Sequence, residues 1–137
     1  MIKITRSSIG VSSQGSGLGT IIFSVGDGTN IIQAGTRGYT PRIPKAFTIV
    51  SMDIAEVSTV PVASTAVIDI LKGAYASYPT CTSITASAKP TLTASAANSD
   101  QVLTGWTKTV ADTEFLAFNV NSNDVAKKIL LTLTIQK

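Results

Sequence analysis

The length, composition and charge of the chain favour one folded domain. Its 137 residues carry a formal net charge of +3, and 14% of them are charged while 44% are hydrophobic. This balance excludes an intrinsically disordered chain, and the length allows a hydrophobic core without added cross-links. The basic residues are scattered, with only Lys127 and Lys128 adjacent, so we expect no nucleic-acid partner.

Cysteine and histidine usage limits the chemistry that the chain can perform. There is one cysteine, Cys81, and no histidine, so neither an internal disulfide nor a usual zinc site can form. No apolar run reaches the roughly 20 residues of a membrane-spanning helix, and the N-terminus lacks the apolar core of a signal peptide. We therefore expect no cofactor, no membrane association, and either an unprocessed protein made in the cytoplasm or a particle assembled there.

Residues 1–19 differ from the rest of the chain. They combine spaced apolar side chains with a glycine-rich end, in which glycines at positions 15, 17 and 19 loosen the backbone. One interpretation is an extended arm and hinge that dock onto another protein. The alternative is a first edge strand followed by a loop. The apolar residues of this predicted interface are Ile2, Ile4, Ile9 and Val11.

The predicted domain spans residues 20–137 and begins with three segments of strand character. Residues 20–28 read as a strand that ends in a Gly-Asp-Gly turn. Prolines at positions 41 and 44 restrict residues 29–44 to an edge or irregular strand. Residues 46–57 predict a regular strand. Its predicted apolar face consists of Val50, Met52 and Ile54.

The segment from residue 65 to residue 106 organises the predicted fold. It begins as an alternating strand and ends with Trp106. After this strand, residues 74–79 predict a turn that carries two tyrosines. Pro90 prevents the small-residue segment that follows from forming a helix or a central strand. The strand residues that share one face are Ala66, Ile68 and Ile70.

The C-terminal part predicts two more strands and completes the fold class. Residues 94–101 read as a polar loop tip, residues 115–120 alternate, and residues 127–137 form the most regular strand pattern of the chain. About seven short strands without intervening helices predict an all-β protein with an antiparallel β-sandwich, jelly-roll-like or Greek key. The predicted core face of the last strand consists of Ile129, Leu131, Leu133 and Ile135.

Few residues are candidates for catalysis or metal binding. Asp53 and Asp69 form a carboxylate pair only if their strands are neighbours. We favour a place for both on the solvent-exposed face of the sheet, or pairing with lysines there. Without histidine, a serine nucleophile has no base. Residues 119–124 carry four alternating oxygen ligands but lack the glycine and glutamate of a calcium loop. A hairpin turn that tolerates positive φ explains their asparagines better. We expect no enzyme activity.

The aromatic residues supply the remaining candidate surface. Tyr75, Tyr78 and Trp106 lie at or near the predicted turns of the organising segment. Exposed aromatic rings on a β-sandwich can stack on sugar rings, whereas most such residues cover the core or lie in subunit interfaces. We favour the interface or core, with glycan binding as the alternative.

Five segments of the chain resemble a known family. They are VIDILKGAYASYPT, SITASAKPTL, LTGWT, FLAFNVNS and LLTLTIQK. In this order they resemble the β-sandwich domain of tailed-bacteriophage virion proteins. In that family the pattern ends fibre-like or collagen-like structural proteins and also occurs in small head and tail components. The resemblance covers residues 20–137. Leu71 stands where family members often carry tryptophan, and a long repetitive stalk does not precede the domain.

The resemblance implies a function but no catalytic residue. It implies a virion structural protein whose partners are other capsid or tail proteins, and it suggests a homo-oligomer, specifically a trimer. We expect a small capsid decoration or head-fibre component, located in the virion and attached through residues 1–19. The alternative is a module of a phage tail or fibre that binds host-surface glycan through Tyr75, Tyr78 and Trp106.

Overall fold

Two antiparallel sheets pack face to face in the computed structural model, which describes residues 7–13 and 17–137. Nothing helical in these ranges has the length and hydropathy that a membrane span requires. The predicted all-β antiparallel sandwich is confirmed. A 3-10 turn, Tyr75–Ser77, follows the fifth strand. The strands are, in chain order, β1 (Ser7–Ser13), β2 (Leu18–Val25), β3 (Gly35–Tyr39), β4 (Phe47–Glu56), β5 (Ser64–Ala74), β6 (Thr82–Ser83), β7 (Thr91–Ser95), β8 (Ala97–Asp100), β9 (Thr109–Val110), β10 (Glu114–Asn123) and β11 (Ile129–Gln136).

The strand order places the ends of the domain next to each other. The first sheet has the order β1-β2-β11-β4, and β8 and β9 both pair along the remaining edge of β4. The second sheet has the order β3-β10-β5, and β6 and β7 both pair along the remaining edge of β5. Because β2 and β11 pair along their whole length, strands from the two ends of residues 17–137 lie side by side in the first sheet.

The core lies between the two sheets and is apolar. The predicted face of β11 is confirmed, since alternate residues from Ile129 to Ile135 are buried. Burying one such side chain contributes roughly 1.5–3 kcal/mol. Phe23 of β2 stacks on Phe118 of β10 with a centroid distance of 4.6 Å and an interplanar angle of 8°. This ring pair joins the two sheets at the centre of the sandwich.

Two details of the strands differ from the sequence prediction. The prediction that Val50 shares the apolar face of β4 is wrong, because a β-bulge interrupts the pairing with β11. Ile49 is buried instead, and Val50 is 38% exposed. The prediction of a polar loop tip over residues 94–101 is also wrong for β8, because backbone pairing with β4 forms this strand without apolar side chains.

The N-terminal segment contains a strand at the outer edge of the first sheet. β1 pairs antiparallel with β2 from Ser7 opposite Val25 to Ser13 opposite Gly19. The described part therefore follows the edge-strand alternative, and Ile9 and Val11 belong to this strand. Residues 1–6, with Ile2 and Ile4, and residues 14–16 lie outside the described residues. Whether residues 1–19 act as a separate docking arm stays a prediction.

A buried carboxylate fastens one end of the sandwich. Glu56, at the end of β4, is only 2% exposed. Its Oε1 accepts hydrogen bonds from the backbone N–H and hydroxyl of Ser58 and from the N–H of Val62. Its Oε2 accepts from the N–H groups of Lys127 and Lys128. Burial raises the pKa of Glu56, but these hydrogen bonds outweigh it and hold the pKa below its ordinary value.

Replacing Glu56 with Gln should lower the free energy of unfolding by about 2 kcal/mol, because the side-chain amide brings N–H donors against backbone N–H groups. Since the folded-state pKa lies below the ordinary value of 4.5, the carboxylate stabilises the fold above that pH and loses this effect as the pH falls through the folded-state pKa. Urea unfolding between about pH 7 and pH 3 should therefore show a smaller loss of stability in Glu56→Gln than in the wild type.

Asp53→Asn is the matched control for this prediction, because Asp53 is exposed on the same strand. Its free energy of unfolding at neutral pH should stay within about 0.5 kcal/mol of the wild-type value. A Glu56→Gln protein with wild-type stability at every pH would contradict the assignment.

Candidate functional site

All three tyrosines of the chain meet on the outer face of the second sheet. We call Tyr39, Tyr75 and Tyr78 the tyrosine patch. Tyr78 lies 5.1 Å from Tyr39 and 5.7 Å from Tyr75, measured between ring centroids. The three side chains are 39%, 45% and 47% exposed, whereas Phe115 beneath them is fully buried. Phe115 makes its closest ring contact with Tyr78, edge-to-face at 4.9 Å.

The path of the backbone explains why the tyrosines lie over Phe115. Gly73 pairs with Phe115 across β5 and β10. A Cβ at position 73 would lie 2.1 Å from the carbonyl oxygen of Thr80, so the absence of a side chain lets the chain return across the sheet. The N–H of Tyr75 donates to Thr113 O at 2.9 Å and fixes the start of this return. The tyrosine-bearing turn is thereby folded onto the sheet face.

A row of polar side chains lies beside the tyrosine patch. Asp69 of β5 is directly opposite Asn119 of β10, and Asp69 is 7% exposed. Its Oδ1 accepts hydrogen bonds of 2.7 Å from the hydroxyls of Ser83 and Thr85. Its Oδ2 has one described neighbour of opposite charge, the Lys89 ammonium at 4.0 Å. Two hydrogen bonds therefore fix Oδ1, whereas Oδ2 has only a long ion-pair contact.

The thiol beside this row is poorly suited to nucleophilic chemistry. Burial, and then the negative charge of Asp69, raises the pKa of Cys81 above its ordinary value. A raised pKa lowers the thiolate fraction near neutral pH, and the thiolate is the reactive form. Cys81 therefore adds no activated group to this face of the sheet.

Trp106 is separated from the tyrosines. It is 7% exposed and belongs to the cluster between the sheets, and its Nε1–H donates to Ala88 O at 2.7 Å. The structure thus brings Tyr75 and Tyr78 together but not Trp106. Tyr39 and Phe115, which contact these two tyrosines, were not predicted from the sequence. The available signal was that both alternating faces of residues 115–120 are apolar, which predicts a strand covered on both sides.

The two aspartates considered as a catalytic pair lie in different sheets. Asp53 belongs to β4 of the first sheet and Asp69 to β5 of the second, so the hypothesis that they face each other across adjacent strands is wrong. Asp53 lines a shallow depression of about 430 Å³ on the outer face of the first sheet, together with Asn98, Ser99, Leu130 and Thr132. Among the described residues that line it, Asp53 is the one charged group.

The asparagine-rich turn is stabilised by side-chain hydrogen bonds. Asn123 donates to the carbonyls of Ile32 and Ala126 and accepts from the N–H of Ala126. Asp124 accepts from the N–H of Thr65 at 2.8 Å. The predicted hairpin turn is wrong, because β10 and β11 belong to different sheets. The non-glycine residues with positive φ in the described ranges do not include these asparagines. Those ranges also hold no group of three or more His, Cys, Asp or Glu placed for a metal ion.

Comparison with known proteins does not assign the chain to a family. No protein-family model matches it, and no curated protein matches it significantly.

Replacing Gly73 with Ala should disturb the tyrosine patch, because the added methyl group would collide with the backbone at Thr80. We expect a loss of about 1–3 kcal/mol in the free energy of unfolding and a weaker tyrosine signal in near-ultraviolet circular dichroism. Ser77→Ala, a change in the exposed turn itself, is the control and should leave both unchanged. A Gly73→Ala protein with the wild-type spectrum and stability would show that the turn does not depend on this close approach.

Proposed function

We propose that this chain is a bacteriophage virion structural protein, a small oligomeric capsid-decoration or head-fibre component that attaches through its N-terminal segment. The observation that carries the proposal is the place of β1 at the outer edge of the first sheet. The resemblance of residues 20–137 to virion domains supports the assignment to a phage particle, and the edge strand supplies the proposed means of attachment.

An edge strand offers backbone groups to another chain. β1 pairs with β2 on one side, and no described strand pairs with its other side. Unpaired N–H and C=O groups along such an edge can add a strand from a partner protein. Residues 1–6, with Ile2 and Ile4, precede β1 in the chain and remain part of the predicted interface. The two interpretations of residues 1–19, a docking arm and an edge strand, are then compatible, because the edge strand itself would bind the partner.

The rest of the sandwich suits a rigid building block. Phe23, Phe118 and the alternating residues of β11 fill an apolar interior, and Glu56 ties the turns at one end. Such a block transmits force without changing shape because close-packed interiors have low compressibility. Several copies in one oligomer add avidity, which can exceed the affinity of one attachment by about 10²–10⁴.

The proposal predicts that blocking the free edge of β1 prevents attachment. Adjacent residues of an antiparallel strand direct their N–H groups alternately toward and away from the neighbouring strand. Proline removes the backbone N–H. Of the two variants Gly10→Pro and Val11→Pro, one therefore removes a hydrogen bond between β1 and β2. The other removes an N–H donor that points away from β2. The variant that lacks the outward-facing donor should keep wild-type thermal stability. It should no longer bind to particles that were prepared without this protein. Quantitative mass spectrometry, expressed as copies of the protein per particle, measures this binding.

The neighbouring proline variant and Val60→Ala, an exposed loop change, serve as controls. Val60→Ala should attach at wild-type occupancy. Absence of the chain from purified particles would contradict the virion role. Wild-type occupancy of both proline variants would contradict attachment through β1.

A further inference from the structure

We propose that the depression around Asp53, on the outer face of the first sheet, receives a lysine side chain from a second copy of this chain. The contact joins the end of one copy to the sheet face of the next. The site is incomplete without the second copy, because the carboxylate and the ammonium belong to different molecules. The proposal concerns copies of this chain alone and does not depend on attachment through β1.

The depression is open and continuous across three neighbouring strands. Two rows of paired residues cross it, each from β11 through β4 to β8. Asp53, Ala97 and Ser99 are exposed and the other three residues of the rows are half-buried. All six line the same depression of about 430 Å³. An apolar row therefore lies beside a polar row that carries one negative charge. The two rows are Leu130–Ala55–Ala97 and Thr132–Asp53–Ser99.

Charge is distributed unevenly between the first sheet and the rest of the chain. The chain has 11 basic and 8 acidic residues, yet the strands of the first sheet, as far as the structure describes them, contain no lysine or arginine. Asp53 forms no ion pair or hydrogen bond with any described residue, whereas Glu56 and Asp69 have partners in their own chain. The depression therefore favours a positively charged group from another molecule.

The lysines that lack a partner lie at the ends of the sandwich. Lys72 and Lys89 pair with carboxylates of their own chain, and Lys108 interacts with Asp100. In residues 17–137, four other lysines have an ammonium group without a hydrogen bond or ion pair. Two directly precede β11, one directly follows it, and one lies in the loop before β4. We call them the end lysines, and they are Lys127, Lys128, Lys137 and Lys45.

This placement favours a head-to-tail contact over a symmetric one. Pairing two first sheets face to face places the Asp53 carboxylates of both copies in the same interface, where like charges oppose association. An end placed on the face instead brings an unpaired ammonium to an unpaired carboxylate. The methylene stem of lysine packs on apolar surface while its ammonium reaches a polar group, which suits an apolar row beside Asp53. Such heterologous contacts form rings where the rotation between copies closes.

Cross-linking with a water-soluble carbodiimide tests the contact, because this reagent joins a carboxylate directly to an amine without a spacer. The sample is an equal mixture of isotope-labelled and unlabelled full-length chain. Its concentration should reach about 1 mM, since one depression buries far less area than a stable interface and the contact is weak. Mass spectrometry should find Asp53 joined to one of the end lysines. Peptide pairs with label on one side only identify a link between two copies.

Substitutions of Asp53 give a second readout. Asp53→Asn should remove the cross-link and weaken self-association, measured by sedimentation velocity, by about tenfold, the effect of losing one charge pair in an interface. Asp53→Lys should weaken it further, and changing the cross-linked lysine to Asp in that variant should restore association. Asp112→Asn is the matched control, because Asp112 is also exposed and lies in the turn before β10. It should associate like the wild type, and melting temperatures check that every variant folds.

Three results would overturn the proposal. The first is a chain that stays monomeric at the highest concentration and forms no cross-link at Asp53. The second is self-association that Asp53→Asn and Asp53→Lys leave unchanged, since the copies then meet through another surface, such as the tyrosine patch. The third is a cross-link at Asp53 whose two sides always carry the same isotope, because that link lies within one copy.

Discussion

Burial of β10 on both of its faces is the constraint on which the rest of the structure depends. Toward the interior, Phe118 stacks on Phe23 of the opposite sheet. Toward the outside, Phe115 is covered by the tyrosine patch and is as fully buried as Phe118. A strand covered on one face only would leave Phe115 in water, so the outer cover is part of the folding free energy. β10 also pairs with β3 and β5 on its two edges, which makes it the centre of its sheet.

This double cover connects stability with the outer surface of the second sheet. The three tyrosine rings shield Phe115 from water only while they remain in contact with it. Their exposed faces are therefore held in a fixed arrangement. The edge strand β1, through which we propose attachment, belongs to the other sheet. The depression around Asp53 also belongs to that sheet, and the two proposals are compatible but rest on different residues.

The sequence predicted the regular strands well and the irregular ones poorly. Strict alternation in β11 identified its buried face, because one residue face meets a continuous core. Val50 was misplaced because a bulge shifts the face without a local sequence signal. Asp69 was expected in solvent, but the segment carrying Ser83 and Thr85 covers it. The tyrosine patch joins β3, β5 and β10, and such contacts between distant segments cannot be read from local periodicity.

The coupling energy between Phe115 and Tyr78 tests the central claim most directly. A double-mutant cycle with Phe115→Leu, Tyr78→Leu and the combined variant, measured by urea unfolding, isolates the energy of their edge-to-face contact. The account predicts a favourable coupling of about 0.5–1.5 kcal/mol. A corresponding cycle between Phe118 and Tyr78, on opposite faces of the sheet, should give a value near zero. Additive effects of Phe115→Leu and Tyr78→Leu would contradict the claim that the outer aromatic cover is an energetic part of the fold.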